Sequence, residues 1–199
     1  MQHATIYWIA TIARGLFALS AALVLVLVPQ LTATVLLLPL AVVVAALTLA
    51  AYVTLDSVVV LLAGLVLRGQ TLAAPVLAAQ GALGVVLGAS LFYAVHAHES
   101  FPWLVLLLAA QSLAAAFAEF RIARHHFVPH AVVWCYLSSA IAAFAGVLLF
   151  LTRGLPLPQL AWVLGTTLGL FGANQLALAG RMLVEQWRMA QQVPTSSAG

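Results

Sequence analysis

The sequence predicts an all-α membrane protein, a polytopic bundle of six transmembrane helices arranged as three helical hairpins. Hydrophobic residues make up 65% of the 199 residues, and charged residues make up only 6%. A soluble domain carries about a quarter charged residues. Because so few polar side chains cannot cover a water-soluble globule of this size, we expect lipid to be the solvent around it.

Six apolar runs are long enough to cross a bilayer, which takes about 20 apolar residues in a helix. The runs are continuous, whereas the strands of a transmembrane barrel alternate between apolar and polar residues. Proline, glycine or charged residues separate them, as expected of turns. The predicted spans are residues 5–28, 34–67, 75–95, 103–123, 131–151 and 159–183.

The first span resembles a signal peptide in one respect, because Arg14 precedes an apolar stretch that ends near Val28. However, the apolar run begins upstream of that arginine, near Thr5, and no small-x-small cleavage pattern follows it. We therefore expect the first segment to stay in the protein.

The second run has about 34 residues, including Pro39 and Asp56, and is too long for a simple crossing. One interpretation is a single tilted helix that begins near Pro39, after an interfacial or partly helical external segment over residues 30–38. The alternative is two elements broken near Asp56, although residues 57–67 are too short to cross alone. The sequence favours the single helix.

The arginines indicate the orientation of the bundle. All seven basic residues are arginines, too few and too scattered for a nucleic-acid surface. If the chain crosses the membrane six times, only Arg153 lies on one side. The other six arginines lie on the opposite side: Arg14, Arg68, Arg121, Arg124, Arg181 and Arg188. Since positive residues collect on the cytoplasmic side, both termini are predicted to be cytoplasmic.

The spans repeat as three hairpins over about residues 5–67, 75–123 and 131–183, with a period of about 60 to 65 residues. Together they form one membrane domain over residues 1–186, followed by a disordered cytoplasmic tail over residues 187–199. Small residues allow helix backbones to approach each other in lipid. The predicted packing positions are Gly84, Gly88, Gly165 and Gly169.

Arg14 and Asp56 are ionisable residues inside predicted spans, where an unpaired ion costs about 2.5 to 3.5 kcal/mol. At 1.5 Å per residue they lie roughly 13 and 18 Å from the same membrane face, a difference that helix tilt can absorb. We predict a buried, hydrogen-bonded ion pair between them. It is either a structural clamp or a proton- or ion-responsive centre, because protonating Asp56 would leave Arg14 unpaired. Replacing Asp56 with Asn is expected to reduce the folded yield sharply.

Other polar residues at membrane depth should face neighbouring helices rather than lipid. The candidates for this polar interior are Gln80, Gln111, Glu119, Asn174 and Gln175. Glu119 lies one helical turn from the predicted cytoplasmic boundary, where Arg121 and Arg124 can screen it. That position favours a side chain that snorkels to the interface over one that relays protons. Asn174 and Gln175 are the strongest candidates for hydrogen bonds between helices.

The histidines lie in predicted loops, and none is placed to hold a haem within the membrane. His96, His98 and Glu99 are weak as a metal set in a wet loop, so we predict neither a metal nor a cofactor. An imidazole titrates near about pH 6.5, which makes pH sensing by His96 and His98 physically reasonable. The simpler interpretation is that they are solvated loop side chains.

Three short motifs carry a resemblance to a known family. Residues 13–18 read Ala-Arg-Gly-Leu-Phe-Ala, with Pro29 at the predicted helix end, and residues 51–56 read Ala-Tyr-Val-Thr-Leu-Asp. The third motif joins residues 109–111 to residues 119–124, Glu-Phe-Arg-Ile-Ala-Arg. These motifs resemble the HdeD-like proteins, although Ser57 stands where that family usually has glycine. The resemblance implies a small bacterial inner-membrane protein built from hydrophobic repeats and linked to acid resistance.

The sequence contains no motif typical of an enzyme, such as a Gly-x-Ser-x-Gly elbow, a phosphate loop or a His-Glu-x-x-His zinc site. We expect a non-enzymatic inner-membrane protein that supports acid or envelope stress tolerance. Its partners would be lipids, further copies of itself or another membrane protein. The alternative is a small ion- or proton-coupled transporter or channel that uses the Arg14 and Asp56 pair.

Overall fold

The computed structural model of the protein describes residues 2–31, 38–69, 71–96, 101–124 and 132–191. Those residues form six α-helices and no strand, so the predicted all-α class and helix number are confirmed. The helices are α1 (Gln2–Leu31), α2 (Leu38–Val66), α3 (Ala74–His96), α4 (Phe101–Arg124), α5 (Val132–Thr152) and α6 (Leu157–Gln191).

The protein is embedded in a membrane. Helices α1 to α5 are each long and apolar enough to cross a bilayer. Their outer faces carry large apolar side chains such as Leu23, Val86 and Phe144, which are 67%, 62% and 63% exposed. A soluble protein rarely exposes apolar patches of that extent. Lipid is therefore the solvent that these side chains face.

Helix α6 is more polar than the other five, and the polar side chains in its middle include three that face inward. Thr167, Asn174 and Gln175 are all buried, while Trp162 and Leu170 are exposed on the outer face. These three polar side chains in the middle of α6 are thus withdrawn from the lipid, as expected of amide and hydroxyl groups in a membrane bundle.

The second predicted span is one uninterrupted helix, α2, which confirms the single-helix interpretation. Pro39 lies in its first turn, where a backbone N–H has no partner within the helix. Asp56 does not break the helix because its carboxylate accepts a hydrogen bond from Arg14 instead of from the local backbone. In the expected interfacial or partly helical segment over residues 30–38, both described ends are helical, since α1 reaches Leu31 and α2 begins at Leu38. Residues 32–37 lie outside the described residues.

Two predicted helix ends are wrong. Pro29 lies inside α1, which continues to Leu31 because a proline this near the end deprives only one carbonyl of its partner. Helix α6 continues to Gln191, so residues 187–191 are helical and not part of a disordered tail. That stretch contains Arg188, Met189 and Ala190, which are strong helix formers. Residues 192–199 lie outside the described residues.

The helices pack in chain order, and α6 returns to α1, so the bundle closes into a ring. The most extensive contacts are between α2 and α3, between α6 and α1, and between α4 and α5. Each of these pairs joins one predicted hairpin to another, whereas the two helices within a hairpin share less surface. The predicted hairpins therefore describe the order of the chain better than they describe the tightest packing.

Small residues allow the close contacts between hairpins. A Cβ added at Gly172 of α6 would lie 2.9 Å from the carbonyl oxygen of Gly15 in α1. Gly81 lies equally tightly against Leu61 of α2, and Gly146 of α5 lies against the carbonyl oxygen of Ala109 in α4. In all three pairs, the first helix of one hairpin presents a glycine to the second helix of another.

The four predicted packing glycines differ in how closely they approach a neighbour. Gly84 and Gly88 lie in close contact with Ser57 and Thr54 of α2. A Cβ at Gly165 would meet Val26 at 3.0 Å, but a Cβ at Gly169 would meet only the Cβ of Ala22, at 3.8 Å. Gly169 therefore has room for a Cβ, whereas Gly84 and Gly88 do not.

The bundle has two ends, the terminal end and the connector end. The terminal end carries the start of α1, the end of α6 and the α2–α3 and α4–α5 connections. Its α2–α3 turn includes Gly69, whose positive φ of 77° suits a residue without a side chain. The connector end carries the α1–α2, α3–α4 and α5–α6 connections, including the turn at Arg153 and Gly154.

The close contact between α1 and α6 predicts how adding one methyl group at Gly172 affects the stability of the folded protein. Gly172→Ala should destabilise the folded protein by about 1–3 kcal/mol, because its Cβ meets backbone atoms that cannot move aside. Gly180→Ala in the same helix is the matched control, since no atom lies within 4 Å of its Cβ position. Thermal midpoints in detergent should fall for the first variant only. Equal midpoints for both variants would contradict this packing.

Candidate functional site

The candidate site is a buried cluster of three ionisable side chains, the charged triad of Arg14, Asp56 and Glu119. Arg14 Nε donates a hydrogen bond to Asp56 Oδ1 at 2.8 Å, and Arg14 Nη1 donates one to Glu119 Oε1 at 2.5 Å. The three residues are only 2%, 4% and 0% exposed. Charge-assisted bonds of this kind are shorter and stronger than neutral ones. One guanidinium thus holds α1, α2 and α4 together.

The packing of α1 places the guanidinium at the centre of the bundle. Arg14 precedes Gly15, whose close contact with Gly172 draws α6 against α1. The ring of Phe171, also in α6, lies with its centre 5.5 Å from Arg14 Cζ. An aromatic face at that distance attracts a cation and supplies apolar cover without a competing hydrogen bond.

The structure brings together the predicted pair of Arg14 and Asp56, and it adds a partner that the sequence placed elsewhere. Glu119 does not snorkel to the interface, because it is fully buried and paired with Arg14. Arg121 and Arg124 do not screen it. They are exposed and lie against the rings of Phe117 and Phe120, at 5.9 Å and 6.0 Å from the ring centres. A step of two residues along a helix turns a side chain by about 200°, which separates Glu119 from Arg121.

The polar contacts continue from the triad into α5 and α6. Gln175 Nε2 lies 3.4 Å from both Glu119 Oε1 and Ser138 Oγ. Asn174 Nδ2 donates to Ser138 Oγ at 2.5 Å and to the carbonyl oxygen of Trp134 at 3.3 Å. Both amides thus make the interhelical contacts expected of them. The connected polar groups come from α1, α2, α4, α5 and α6.

The two remaining candidates for the polar interior are both buried, but they behave differently. Gln111 Nε2 in α4 lies 3.4 Å from Ser57 Oγ in α2, next to Asp56 in sequence. Neither amide atom of Gln80 has a hydrogen-bond partner among the described residues. Nothing in the described part of the chain explains that unpaired amide.

A small cavity of about 60 Å³ adjoins the triad on the side of Asp56. Its polar wall includes Arg14, Asp56, Gln111 and Thr167, and α3 does not contribute to it. Arg14 Nη2 and Gln111 Oε1 are buried and have no partner among the described side chains and backbone. The volume suits a few water molecules, which need about 10–15 Å³ each on this measure. It is too small for a drug-sized solute.

The predicted pH-sensing histidines are described only in part. His96 ends α3 at the connector end and is exposed, whereas His98 and Glu99 lie outside the described residues. Among the residues that the structure describes, no group of three or more His, Cys, Asp or Glu side chains is close enough to hold a metal ion.

Sequence reasoning missed Ser138, which accepts bonds from both amides of α6, and it missed the role of Glu119. The hairpin repeat contains a signal for the role of Glu119. Glu119 stands 63 residues after Asp56, within the predicted hairpin period, and Gln175 stands 56 residues after Glu119. The second helix of each hairpin therefore brings one polar residue to the same hydrogen-bonded cluster.

Comparisons of this chain with protein-family models, with curated proteins and with solved structures find no match. The chemistry of the site therefore rests on the geometry of the triad and its cavity.

The two carboxylates change what is expected of single substitutions. Asp56→Asn leaves Arg14 paired with Glu119, and Glu119→Gln leaves it paired with Asp56, so each single variant should lose less than about 2 kcal/mol. The double variant leaves a buried guanidinium without a counter-ion and should lose about 3–5 kcal/mol. This expectation replaces the sharp loss of folded yield predicted for Asp56→Asn from the sequence.

Yield of monodisperse protein and thermal midpoint would measure these effects. Ser90→Ala is a suitable control, because its exposed hydroxyl bonds only to the Val86 carbonyl oxygen of its own helix. A double variant as stable as either single variant would show that the triad does not hold the helices together.

Proposed function

We propose that this chain is a non-enzymatic, HdeD-like protein of the bacterial inner membrane that supports acid or envelope stress tolerance. In this proposal all six helices cross the membrane, and both termini lie in the cytoplasm. Its partners are the surrounding lipids, with further copies of the chain or another membrane protein as candidates.

The observation that carries the proposal is the charged triad in the apolar interior. An ionisable residue within a membrane span is costly and is kept where it serves a purpose. Here two carboxylates share one guanidinium, so a proton added to either carboxylate would change the charge of a site that also joins three helices. Such a centre fits a protein that must keep or change its conformation when the environment becomes acidic.

A second candidate function is a small ion- or proton-coupled transporter or channel. The cavity favours it, because Arg14 and Asp56 both line a polar space next to the triad. The stress role remains the first candidate because about 60 Å³ holds a few water molecules but no larger solute.

Survival of acid shock tests the main proposal. Deleting the gene should lower survival of the source bacterium, and the wild-type chain should restore it. Glu119→Gln should restore it poorly despite folding, whereas Ser90→Ala should restore it fully. Unchanged survival of the deletion strain would contradict the stress role. Proton or ion flux in liposomes that Asp56→Asn abolishes would then favour the transporter.

Labelling of introduced cysteines tests the orientation. Gly154→Cys, at the connector end, should react with a membrane-impermeant maleimide in intact cells. Leu72→Cys, in the exposed α2–α3 connection, should react only after the membrane is opened. The single native cysteine, Cys135, is buried and serves as the unlabelled background. The opposite labelling pattern would place the termini outside the cytoplasm.

A further inference from the structure

The charged triad is not balanced in charge. Arg14 supplies one positive charge, while Asp56 and Glu119 together supply two negative charges when both are ionised. All three side chains are at most 6% exposed, so bulk water does not screen the excess. An uncompensated charge in a buried site is expensive. One added proton makes the cluster neutral, and a second would leave Arg14 without a counter-ion.

The groups around the triad do not supply the missing positive charge. Tyr7 of α1 and Cys135 of α5 lie near Glu119, and Tyr52 of α2 lines the cavity. A phenol and a thiol are uncharged at neutral pH. Helix α6 presents the neutral amide of Gln175, and α3 presents no charged side chain here. Arg121 and Arg124 of α4 are exposed and turned away.

The two carboxylates have different surroundings. Asp56 lines the polar cavity together with Arg14. Glu119 is fully buried, does not line the cavity, and its Oε2 has no hydrogen-bond partner among the described residues. Of the two carboxyl groups, only that of Asp56 therefore lies beside a space that could hold water.

We propose that the charged triad is a proton-binding site, which holds one exchangeable proton on the carboxyl pair of Asp56 and Glu119. The proton arrives through the cavity from the connector end. A hydronium ion in the cavity gives its proton to the Asp56 carboxylate and becomes water, so only O–H bonds change. This proton site gives the proposed acid response a chemical basis. Only its physiological meaning rests on the proposed function.

The packing on either side of the triad determines from which end of the bundle a proton reaches Asp56. The cavity reaches from Asp56 toward the connector end, where four buried leucines close it, namely Leu49, Leu108, Leu149 and Leu164. Toward the terminal end, Val60, Ile122, Leu178 and Met182 belong to a second buried apolar cluster. Space large enough for water therefore adjoins the triad on the connector side. The four leucines belong to a buried apolar cluster that continues through Leu104 and Leu160 toward the connector end and forms the barrier there.

Infrared spectroscopy of the protein in lipid tests for the bound proton. The chain has only four Asp and Glu residues, so the carbonyl band of a protonated carboxyl group can be assigned. At neutral pH the wild type should show this band. Asp56→Asn and Glu119→Gln should each lose it, because one carboxylate balances Arg14 without a proton. Glu185→Gln, outside the triad, should keep it.

Other outcomes of that experiment contradict the proposal. No band in the wild type means that both carboxylates are ionised. A band that survives in either triad variant means that charge balance does not govern the proton. If a variant fails to fold, the wild type can be labelled instead. Labelling with ¹³C-aspartate or ¹³C-glutamate should shift the carbonyl band, and a band that neither label shifts overturns the assignment. Neither readout depends on acid survival, so the proton site and the stress role can fail separately.

Deuterium exchange of the same band tests the route. Leu164→Ala thins the apolar cluster at the connector end and should speed exchange about tenfold, equivalent to about 1.4 kcal/mol of barrier. Ile122→Ala makes a similar cavity on the terminal side and should leave the rate unchanged. Faster exchange in the Ile122 variant alone, or in neither variant, would overturn access from the connector end.

Discussion

The structure depends on one guanidinium group in a place where lipid, not water, surrounds the protein. Arg14 cannot be solvated at the centre of the bundle, so it needs counter-ions supplied by the chain itself. Asp56 and Glu119 meet that need from two other helices. The requirement fixes the rotation of α1, α2 and α4 about their axes, because any other rotation would leave an ion facing apolar side chains. A buried ion pair is weak evidence for added stability, but it selects strongly between alternative packings.

Glycine contacts make this arrangement possible. Two helices approach closely where at least one of them carries a small side chain, and lipid provides no hydrophobic force to press them together. Gly172 against Gly15 draws α6 onto α1, directly beside Arg14. Gly84 lies against Ser57, the neighbour of Asp56, in the same way. The small residues and the charged residues are therefore adjacent in sequence because they serve one geometry. The close contacts hold α6 against α1 and α3 against α2, beside the positions of Arg14 and Asp56.

Much of this architecture follows from the sequence, and what does not follow has a physical reason. Six apolar runs and a rare pair of membrane-embedded ions predict the helices and the Arg14–Asp56 contact, since an ion in lipid must have a partner. The pairing of Glu119 with Arg14 is harder to predict. The sequence gives the distance of Glu119 along α4 from the membrane boundary, but it does not give the direction in which its side chain points. That direction depends on how α4 packs against α1 and α5. The hairpin period placed Glu119 in register with Asp56, a relation that outweighs its nearness to Arg121. The sequence likewise does not predict that helices of different hairpins pack more tightly than the two helices within a hairpin, because tertiary contacts and not chain order determine which helices pack most closely.

The most direct test of the central claim is a distance measurement in a lipid bilayer. Asp56 is the only aspartate in the chain, so protein with ¹⁵N-arginine and ¹³C-aspartate contains one labelled carboxyl carbon for solid-state NMR. Dipolar recoupling should detect an arginine side-chain nitrogen in hydrogen-bonding contact with that carbon, as required by the 2.8 Å distance between Arg14 Nε and Asp56 Oδ1. The signal should disappear when Arg14 is replaced by Gln. If no arginine nitrogen lies near the aspartate carboxyl carbon in the wild type, the charged triad does not organise this bundle.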